Sequence, residues 1–427
     1  MKEMQDTAAP AERALIIGIQ DEDTPELEAR SLMAELQSLA KTLGIECCGT
    51  MLVKLRDRNP ALLVGTGKAD EIVNTAKAAN ADSIIFDRTM SPIQQRNFEE
   101  LAGISVYDRS ELIIKIFASR AQTREASLQV ELARLQYSLP RLTHAYNDLN
   151  RQKGGRYGTK DSGETKLELD RRQISKQIKF IEEELVEVRK VRATQRKRRE
   201  RVGIPRAAIV GYTNAGKSSL LNRIANAEVM AEDKLFATLD PTTRRMNTKS
   251  GTVLLTDTVG FIRNLPHRLV AAFKASLEEA AGADILVHVL DASDPEHEKH
   301  FKTTQEVLQE IGIQAAHSIL VYNKIDRLED RSPLDFLKRR YPEAIFISVH
   351  TGEGLGELMA AIETALTSGE KEMQLRIPAK DYAFVSLLYR EATILSEDHE
   401  GEDVLIHARI PQRLLSRAEA YSLSSLT

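Results

Sequence analysis

Residues Gly211-Tyr212-Thr213-Asn214-Ala215-Gly216-Lys217-Ser218 stand between the apolar run "AAIV" and the helix-like "SLLNRIA". Glycines at the first and sixth positions let backbone N–H groups curl round phosphates, Lys217 can reach the β and γ oxygens, and Ser218 offers a hydroxyl to Mg²⁺. An apolar strand before the loop and a helix after it separate this pattern from an ordinary glycine-rich turn. The chemistry predicted is the binding and cleavage of a nucleoside triphosphate.

Guanine is selected further along, where Asn323-Lys324-Ile325-Asp326 closes the apolar run "ILVY". The Asp326 carboxylate can accept from guanine N1–H and the 2-amino group, whereas adenine has neither donor there, a loss of about 1.5 to 3 kcal/mol per charge-assisted bond. Lys324 is expected along the base plane, and Asn323 is expected to tie this loop to the phosphate loop. Ser348-Val349-His350, after "AIFI", is placed to support guanine O6 through its backbone.

Between these motifs lie two candidate switches. In "LFATLDPTTRR", Phe236, Ala237, Thr238, Leu239 and Asp240 form the predicted nucleotide-contacting stretch, with Thr238 as first choice for the Mg²⁺ shell and Thr242 as alternate. In Asp257-Thr258-Val259-Gly260, Asp257 is expected to hold Mg²⁺ through water and Gly260 to give its N–H to the γ-phosphate. Lys217, Thr238 and Gly260 are therefore the candidates to act on the γ-phosphate itself. The next residue, Phe261, cannot hydrogen-bond a water, so positioning of the nucleophile falls to backbone groups, a switch side chain or a partner that orders the switches. Asn214 has two candidate roles: its side-chain oxygen could coordinate an activating K⁺, or it could stabilise the loop by a local hydrogen bond.

The elements that position these motifs follow from period and composition. At 427 residues, three or four domains are expected. Residues 1–110 alternate short strands ("ALIIGIQ", "DSIIFD") with helix-like stretches, predicting a small parallel α/β domain. Residues 111–204 read as an antiparallel helical hairpin. Leu128, Leu132, Leu135, Leu139, Leu142, Tyr146 and Leu149 form one apolar seam, and Ile174, Ile178, Ile181, Leu185 and Val188 the other. Pro140 is expected to kink or break the first helix. The connecting "RQKGGRYGTKDSGETK", with four glycines and five basic residues, is expected not to be regular helix. Residues 205–368 read as a P-loop domain with a mainly parallel sheet flanked by helices, and 369–427 as a small α+β domain with strands "MQLRIP" and "DVLIHARIP". Gly65-Thr66-Gly67-Lys68 reads as a tight βα turn rather than a second nucleotide site.

Through these motifs the chain resembles the HflX GTPases of the Obg-HflX group of translation-factor-related GTPases. The resemblance spans almost the whole length: "GYTNAGKSSLLNRI", "LFATLDPTTRR", "DTVGFIRNLPHRLVAAFKASLEE" and "NKID" in the nucleotide half, "VGTGKADEI", "DRSELIIKIFASRAQTREASLQVELARLQY" and "GETKLELDRR" in the other. It implies GTP hydrolysis, a hydrophobic residue where a catalytic glutamine might stand (Phe261), and binding to and stimulation by the large (50S) ribosomal subunit. It also implies a part in splitting or rescuing stalled ribosomes, or in subunit biogenesis. Two places depart from the family pattern: Asp161-Ser162-Gly163-Glu164 replaces the usual Gly-Pro-Gly-Glu, and Ser348-Val349-His350 replaces a serine-alanine pair.

Charge distribution agrees on the partner. Net charge is only −4, so contact with ribosomal RNA needs a local cluster. Residues 189–201, "RKVRATQRKRRER", hold eight basic residues against one acidic, which reads either as a solvated coiled-coil surface or as an RNA-contacting patch. Arg192, Arg196, Lys197, Arg198, Arg199 and Arg201 here, and Arg151, Lys153, Arg156 and Lys160 in the glycine-rich tip, are the RNA-contact candidates. The alternative partner is a protein, met by an apolar seam or by "IEEELVEV"; an RNA-remodelling ATPase is disfavoured by Asp326. Only two cysteines, the adjacent Cys47 and Cys48, argue against a disulfide framework. With no leader-like N-terminus or membrane-span run, a cytoplasmic protein is expected. Nothing in the pattern demands a dimer, and a monomer is expected.

Overall fold

The structure, a computed structural model, describes residues 12–55, 57–145, 160–200, 204–225, 235–236, 238–239, 241–248, 251–264, 277, 281–313, 317–330, 332–367 and 371–423. Strand β1 (Arg13–Gln20) is buried from Ala14 to Ile19, the signature of a central strand covered on both faces. It lies between β2 (Glu46–Lys54) and β3 (Ser83–Phe86), with β4 (Ser105–Asp108) at one edge, all four parallel. Helices α1 (Glu26–Thr42), α2 (Thr66–Ala78) and α3 (Pro92–Ala102) supply the crossovers. α3 starts where Ser91 and Gln94 close a reciprocal capping box ahead of Pro92. The expectation of a βα turn at residues 65–68 is corrected: Gly65, at φ −61°, precedes α2, and Gly67 and Lys68 lie inside its first turn.

α4 (Arg109–Arg120), capped by the Asp108 carboxylate, leads into α5 (Arg124–Ala145), which pairs with the long α6 (Lys160–Glu200). Leu135, Ile181 and Leu185 form a buried seam flanked by Leu128, Leu132, Ile174 and Ile178. The pairing is antiparallel, since Arg124 meets Glu184 and Arg192 Nε lies 2.7 Å from Glu125 at the start of α5. α5 continues through Pro140 to Ala145, so the proline does not break it. The expectation that "RQKGGRYGTKDSGETK" holds no regular helix is corrected from Lys160 onward, where α6 begins and takes in Asp161-Ser162-Gly163-Glu164. One interior glycine costs about 1 kcal/mol, which a helix of this length absorbs, and acidic residues suit a helix N-terminus. Tyr146, Leu149 and the rest of the tip lie outside the described residues.

The second sheet has the order β10-β9-β8-β5-β7-β6. Strands β5 (Arg206–Gly211), β7 (Gly251–Asp257), β8 (Ile285–Asp291), β9 (His317–Asn323) and β10 (Ile345–Phe346) are parallel, and β6 (Thr242–Thr248) runs antiparallel to β7 at the edge. α7 (Lys217–Ala225), α8 (His297–Glu310), α9 (Ser332–Arg340) and α10 (Leu355–Thr367) connect or cover them. A third, antiparallel sheet joins β11 (Lys371–Pro378), β12 (Thr393–Glu400) and β13 (Asp403–Ile410), with α11 (Tyr382–Glu391) and α12 (Gln412–Ala418) over one face. Strand β12, "TILSEDHE", escapes sequence inspection because it is mostly exposed and polar.

One packing feature crosses the expected domain boundaries. Ile16, Leu36, Leu39, Leu112 and Phe117 share a buried cluster with Tyr212, Leu235, Phe236, Val259, Phe261 and Ile262. Leu235 and Phe236 of the first switch and Val259, Phe261 and Ile262 of the second are thus packed with residues of β1, α1 and α4.

Candidate active site

β5 delivers the phosphate loop, whose backbone takes the conformations its residue types allow. Gly211 and Gly216 have φ of +150° and +95°, and a Cβ on either would come within 2.2 Å of Val289 O or Asn323 Nδ2. Asn214 occupies the left-handed region at φ +60°, which asparagine tolerates, and its side chain is exposed. Lys217, at the start of α7, is buried and donates to Tyr212 O at 2.7 Å. Burial lowers its pKa to about 8, helped by the Lys324 charge and opposed by Asp257.

Three predicted metal-site residues converge. Ser218 Oγ lies 2.6 Å from Asp257 Oδ2 and 2.7 Å from Thr238 Oγ1, and Thr238 Oγ1 is 2.8 Å from the same carboxylate oxygen. Asp257 is fully buried, and its Oδ1 has no hydrogen-bond partner among the described residues. Two hydroxyls and a carboxylate oxygen left over make a hard, oxygen-only donor set that fits Mg²⁺. Burial pushes the Asp257 carboxyl above its usual range against the pull of Lys217 and the two hydroxyls, a strain that a cation would relieve. Thr242, the alternate, opens β6 opposite Asp257 in the sheet.

Asn323 bridges two motifs: its Nδ2 donates to Ala215 O at 2.9 Å, and its Oδ1 accepts from Val349 N at 3.1 Å. Lys324, at φ +64°, places its ammonium 2.7 Å from Asp291, and Asp326 is exposed beside it. Ser348 is buried and its Oγ accepts from Thr351 N at 3.0 Å, which leaves His350 on the turn between them. Ile325 and Val349 face apolar clusters, so any contact they make with a base is through the backbone.

One predicted side chain is corrected in role. Phe236, expected along the nucleotide, is 2% exposed, with its ring edge-on to Phe117 of α4 at 4.8 Å. The apolar cluster beside the first sheet outcompetes any polar ligand for that ring. Its neighbour Leu235 donates from its N–H to Thr42 Oγ1 at 3.2 Å, while Thr258 and Val259 are wholly buried and Leu239 is half-buried. Ala237 and Asp240 lie outside the described residues. Phe261 is also 2% exposed, and its backbone pairs with the phosphate loop: its N–H donates to Gly211 O at 3.1 Å and its oxygen accepts from Thr213 N at 2.8 Å.

Lys160, Arg196, Lys197, Arg198 and Arg199 fall on the backbone of α6, with their side chains outside the described residues, as are Arg151, Lys153, Arg156 and Arg201 altogether. Arg192 forms the ion pair with Glu125 across the hairpin and stays partly exposed.

Sequence inspection misses a buried charge network that ties the first sheet to the loop. Glu35 of α1 accepts from the Tyr212 hydroxyl, from Arg109 at 2.9 Å and from Arg263 Nε at 3.1 Å. Arg109 also meets Asp87 at 2.7 Å, and Arg263 reaches Glu296 at 3.0 Å and Ser31 at 2.8 Å. The Tyr212 hydroxyl accepts from Arg263 N at 2.7 Å, and its ring stacks on His300 at 3.7 Å. The available signal is Glu35 itself, a carboxylate on the apolar stripe Leu32-Leu36-Leu39 of α1.

Comparison with known proteins places this geometry. Family models described as GTP-binding GTPase N-terminal, GTP-binding GTPase Middle Region and 50S ribosome-binding GTPase match residues 30–118, 120–199 and 206–324. A protein of Akkermansia muciniphila named GTPase HflX is 44% identical over 433 residues, covering 99% of both chains. GTPase HflX of Escherichia coli K12 is 41% identical, covering 96% of both. Among solved structures, a GTP-binding protein of Sulfolobus solfataricus in complex with GDP is similar at 24% identity and a TM-score of 0.46, covering 83% of this chain and 98% of that one. A phosphate loop, a converged hydroxyl and carboxylate site and an Asn-Lys-Ile-Asp base motif sit on a sequence that matches these relatives end to end: the chain belongs to the HflX family of GTPases and hydrolyses GTP.

Proposed function

We propose that the chain is a ribosome-associated switch: in the GTP state it binds the large ribosomal subunit, the subunit stimulates hydrolysis, and GDP formation permits release. Splitting or rescue of stalled ribosomes, or help in subunit biogenesis, is the work this cycle would perform. The observation that carries the proposal is Phe261, buried and tied by its backbone to the phosphate loop, so that no amide follows Gly260 to orient water. A chain built this way turns over slowly until a partner orders its switches. The description of the model matching residues 206–324 supports the large subunit as that partner, as does the basic run at 189–201. In this scheme residues 1–110 and 111–204 grip the subunit, 205–368 hold the nucleotide and 369–427 form a separate small unit.

Ser218, Thr238 and, through water, Asp257 would hold Mg²⁺, which neutralises charge on the β and γ phosphates. Lys217 would meet the same oxygens, and Asp326 would read guanine. Turnover unchanged on replacing K⁺ by Na⁺ removes a K⁺ role for Asn214.

The deciding experiment compares GTP turnover of the full chain alone and with purified large subunits, with co-sedimentation in a non-hydrolysable GTP analogue. Stimulation and analogue-dependent sedimentation are expected; fast turnover indifferent to subunits overturns the proposal. A protein partner is the alternative, favoured by Leu169, Phe180 and Val191, which are exposed on α6 at spacings that align them along one stripe. Binding of this partner without subunit sedimentation would select it. Among the described residues, no helix is long and apolar enough to cross a membrane.

A further inference from the structure

The nucleophile still needs a polar group, and the phosphate loop holds one. Thr213, third residue of the phosphate loop, is 7% exposed, and its Oγ1 has no hydrogen-bond partner among the described residues. Its N–H is already committed to Phe261 O at 2.8 Å. A buried hydroxyl without a partner costs about 1 to 3 kcal/mol, so it does nothing to hold the loop together. Its position gives it another use. A Cβ placed on Gly260 would lie 2.8 Å from Thr213 Cα and Cγ2 and 2.9 Å from Lys217 Nζ, so Thr213 stands against Gly260, which is itself beside the Lys217 ammonium. It also lines a cavity of about 260 Å³ with Asn214, Arg263 and Asp294.

We propose that Thr213 is a catalytic residue of GTP hydrolysis, its Oγ1 accepting a hydrogen bond from the attacking water while its own proton is donated to a γ-phosphate oxygen. The hydroxyl fixes the line of attack and stays unchanged. The water oxygen bonds to the γ-phosphorus, the bond from phosphorus to the bridging oxygen breaks with its electron pair leaving on GDP, and the water proton passes to a γ-phosphate oxygen of the departing inorganic phosphate. A hydroxyl in the loop thereby replaces the amide that Phe261 lacks, and Phe261 in turn anchors the loop on which that hydroxyl sits.

The test uses the full chain with Thr213→Val, which keeps shape and loses the hydroxyl, and Thr213→Ser, which keeps the hydroxyl. Single-turnover hydrolysis is followed without any partner, so the outcome is independent of the ribosomal assignment, and is then repeated with large subunits. In Thr213→Val, kcat is expected to fall on the order of a hundredfold with the KM for GTP and the Kd for GDP nearly unchanged, while affinity for GDP with aluminium fluoride falls in step with kcat. Thr213→Ser is expected to retain most of the rate. Unaltered turnover in Thr213→Val overturns the proposal. So does an equal fall in both variants, or a loss of GDP affinity as large as the loss of rate.

Discussion

Arg109, at the first turn of α4, donates to the main-chain oxygen of Arg263 at 3.1 Å, although 154 residues separate them. Both guanidiniums also engage the Glu35 carboxylate, so the segment after Gly260 is held by charges from the first sheet. Removing the shared carboxylate leaves two buried cations without it. Glu35→Ala is expected to cost about 3 to 5 kcal/mol, read as a lower denaturation midpoint. Burial by itself would raise the Glu35 pKa, but Arg109 and Arg263 hold it below its ordinary value of 4.5. This contribution is therefore complete above about pH 4.5 and is lost as pH falls through the lower folded-state value; in Glu35→Gln that component of the acid transition should vanish.

Thr238 and Thr242 make different predictions because Thr238 Oγ1 meets both Ser218 Oγ and Asp257 Oδ2, whereas Thr242 opens β6 in the sheet beside Asp257. Thr238→Ala should lower Mg²⁺-dependent turnover at least about tenfold, and Thr242→Ala should change it little. Mg²⁺ titrations of GTP hydrolysis measure both; an equal effect would remove the assignment of Thr238.

Lys217 makes nucleotide binding depend on pH. Burial lowers its pKa to about 8, and phosphate oxygens beside it would raise that value again. Binding above about pH 8 must then take up a proton, so GTP affinity should be flat below that point and decline above it. Calorimetry in buffers of different ionisation enthalpy reads the uptake directly, and Lys217→Met should abolish it.

Phe261→Gln is not expected to create fast autonomous turnover. The side chain is 2% exposed within an apolar cluster, so an amide there meets no nucleophile and loses packing. A stability loss of about 2 to 4 kcal/mol with unchanged basal turnover is the expected result. Partner-free activation in a turnover assay would contradict it.

Asp326→Asn tests base selection. The exposed carboxylate beside Ile325 is replaced by an amide that cannot accept from both guanine donors, so GTP affinity should drop on the order of a hundredfold. Xanthosine triphosphate, which carries an oxygen in place of the 2-amino group, should bind the variant better than GTP does in a competition assay.

Several elements were legible because their cause is local. The phosphate loop announces itself within eight residues, since glycines, lysine and serine there answer to backbone conformation and phosphate chemistry at once. The buried strand β1 and the seam Leu128–Leu132–Leu135 show in their periods for the same reason. Strand β12 was hidden because its exposed, polar residues give no alternation. The helical start of α6 was hidden because composition overstates what a single glycine costs.

The sequence by itself determined the nucleotide chemistry: GTP hydrolysis, the candidate residues for phosphate, metal and guanine, and that no amide follows Gly260. Only the tertiary structure decided how the switches are held, with Phe236 against Phe117 and Arg263 within the Glu35 network. A motif is written in neighbours along the chain, whereas a buried ion pair is favourable only when distant parts of the chain meet out of water. Glu35 and Arg263 stand 228 residues apart, and nothing short of the packed fold relates one to the other.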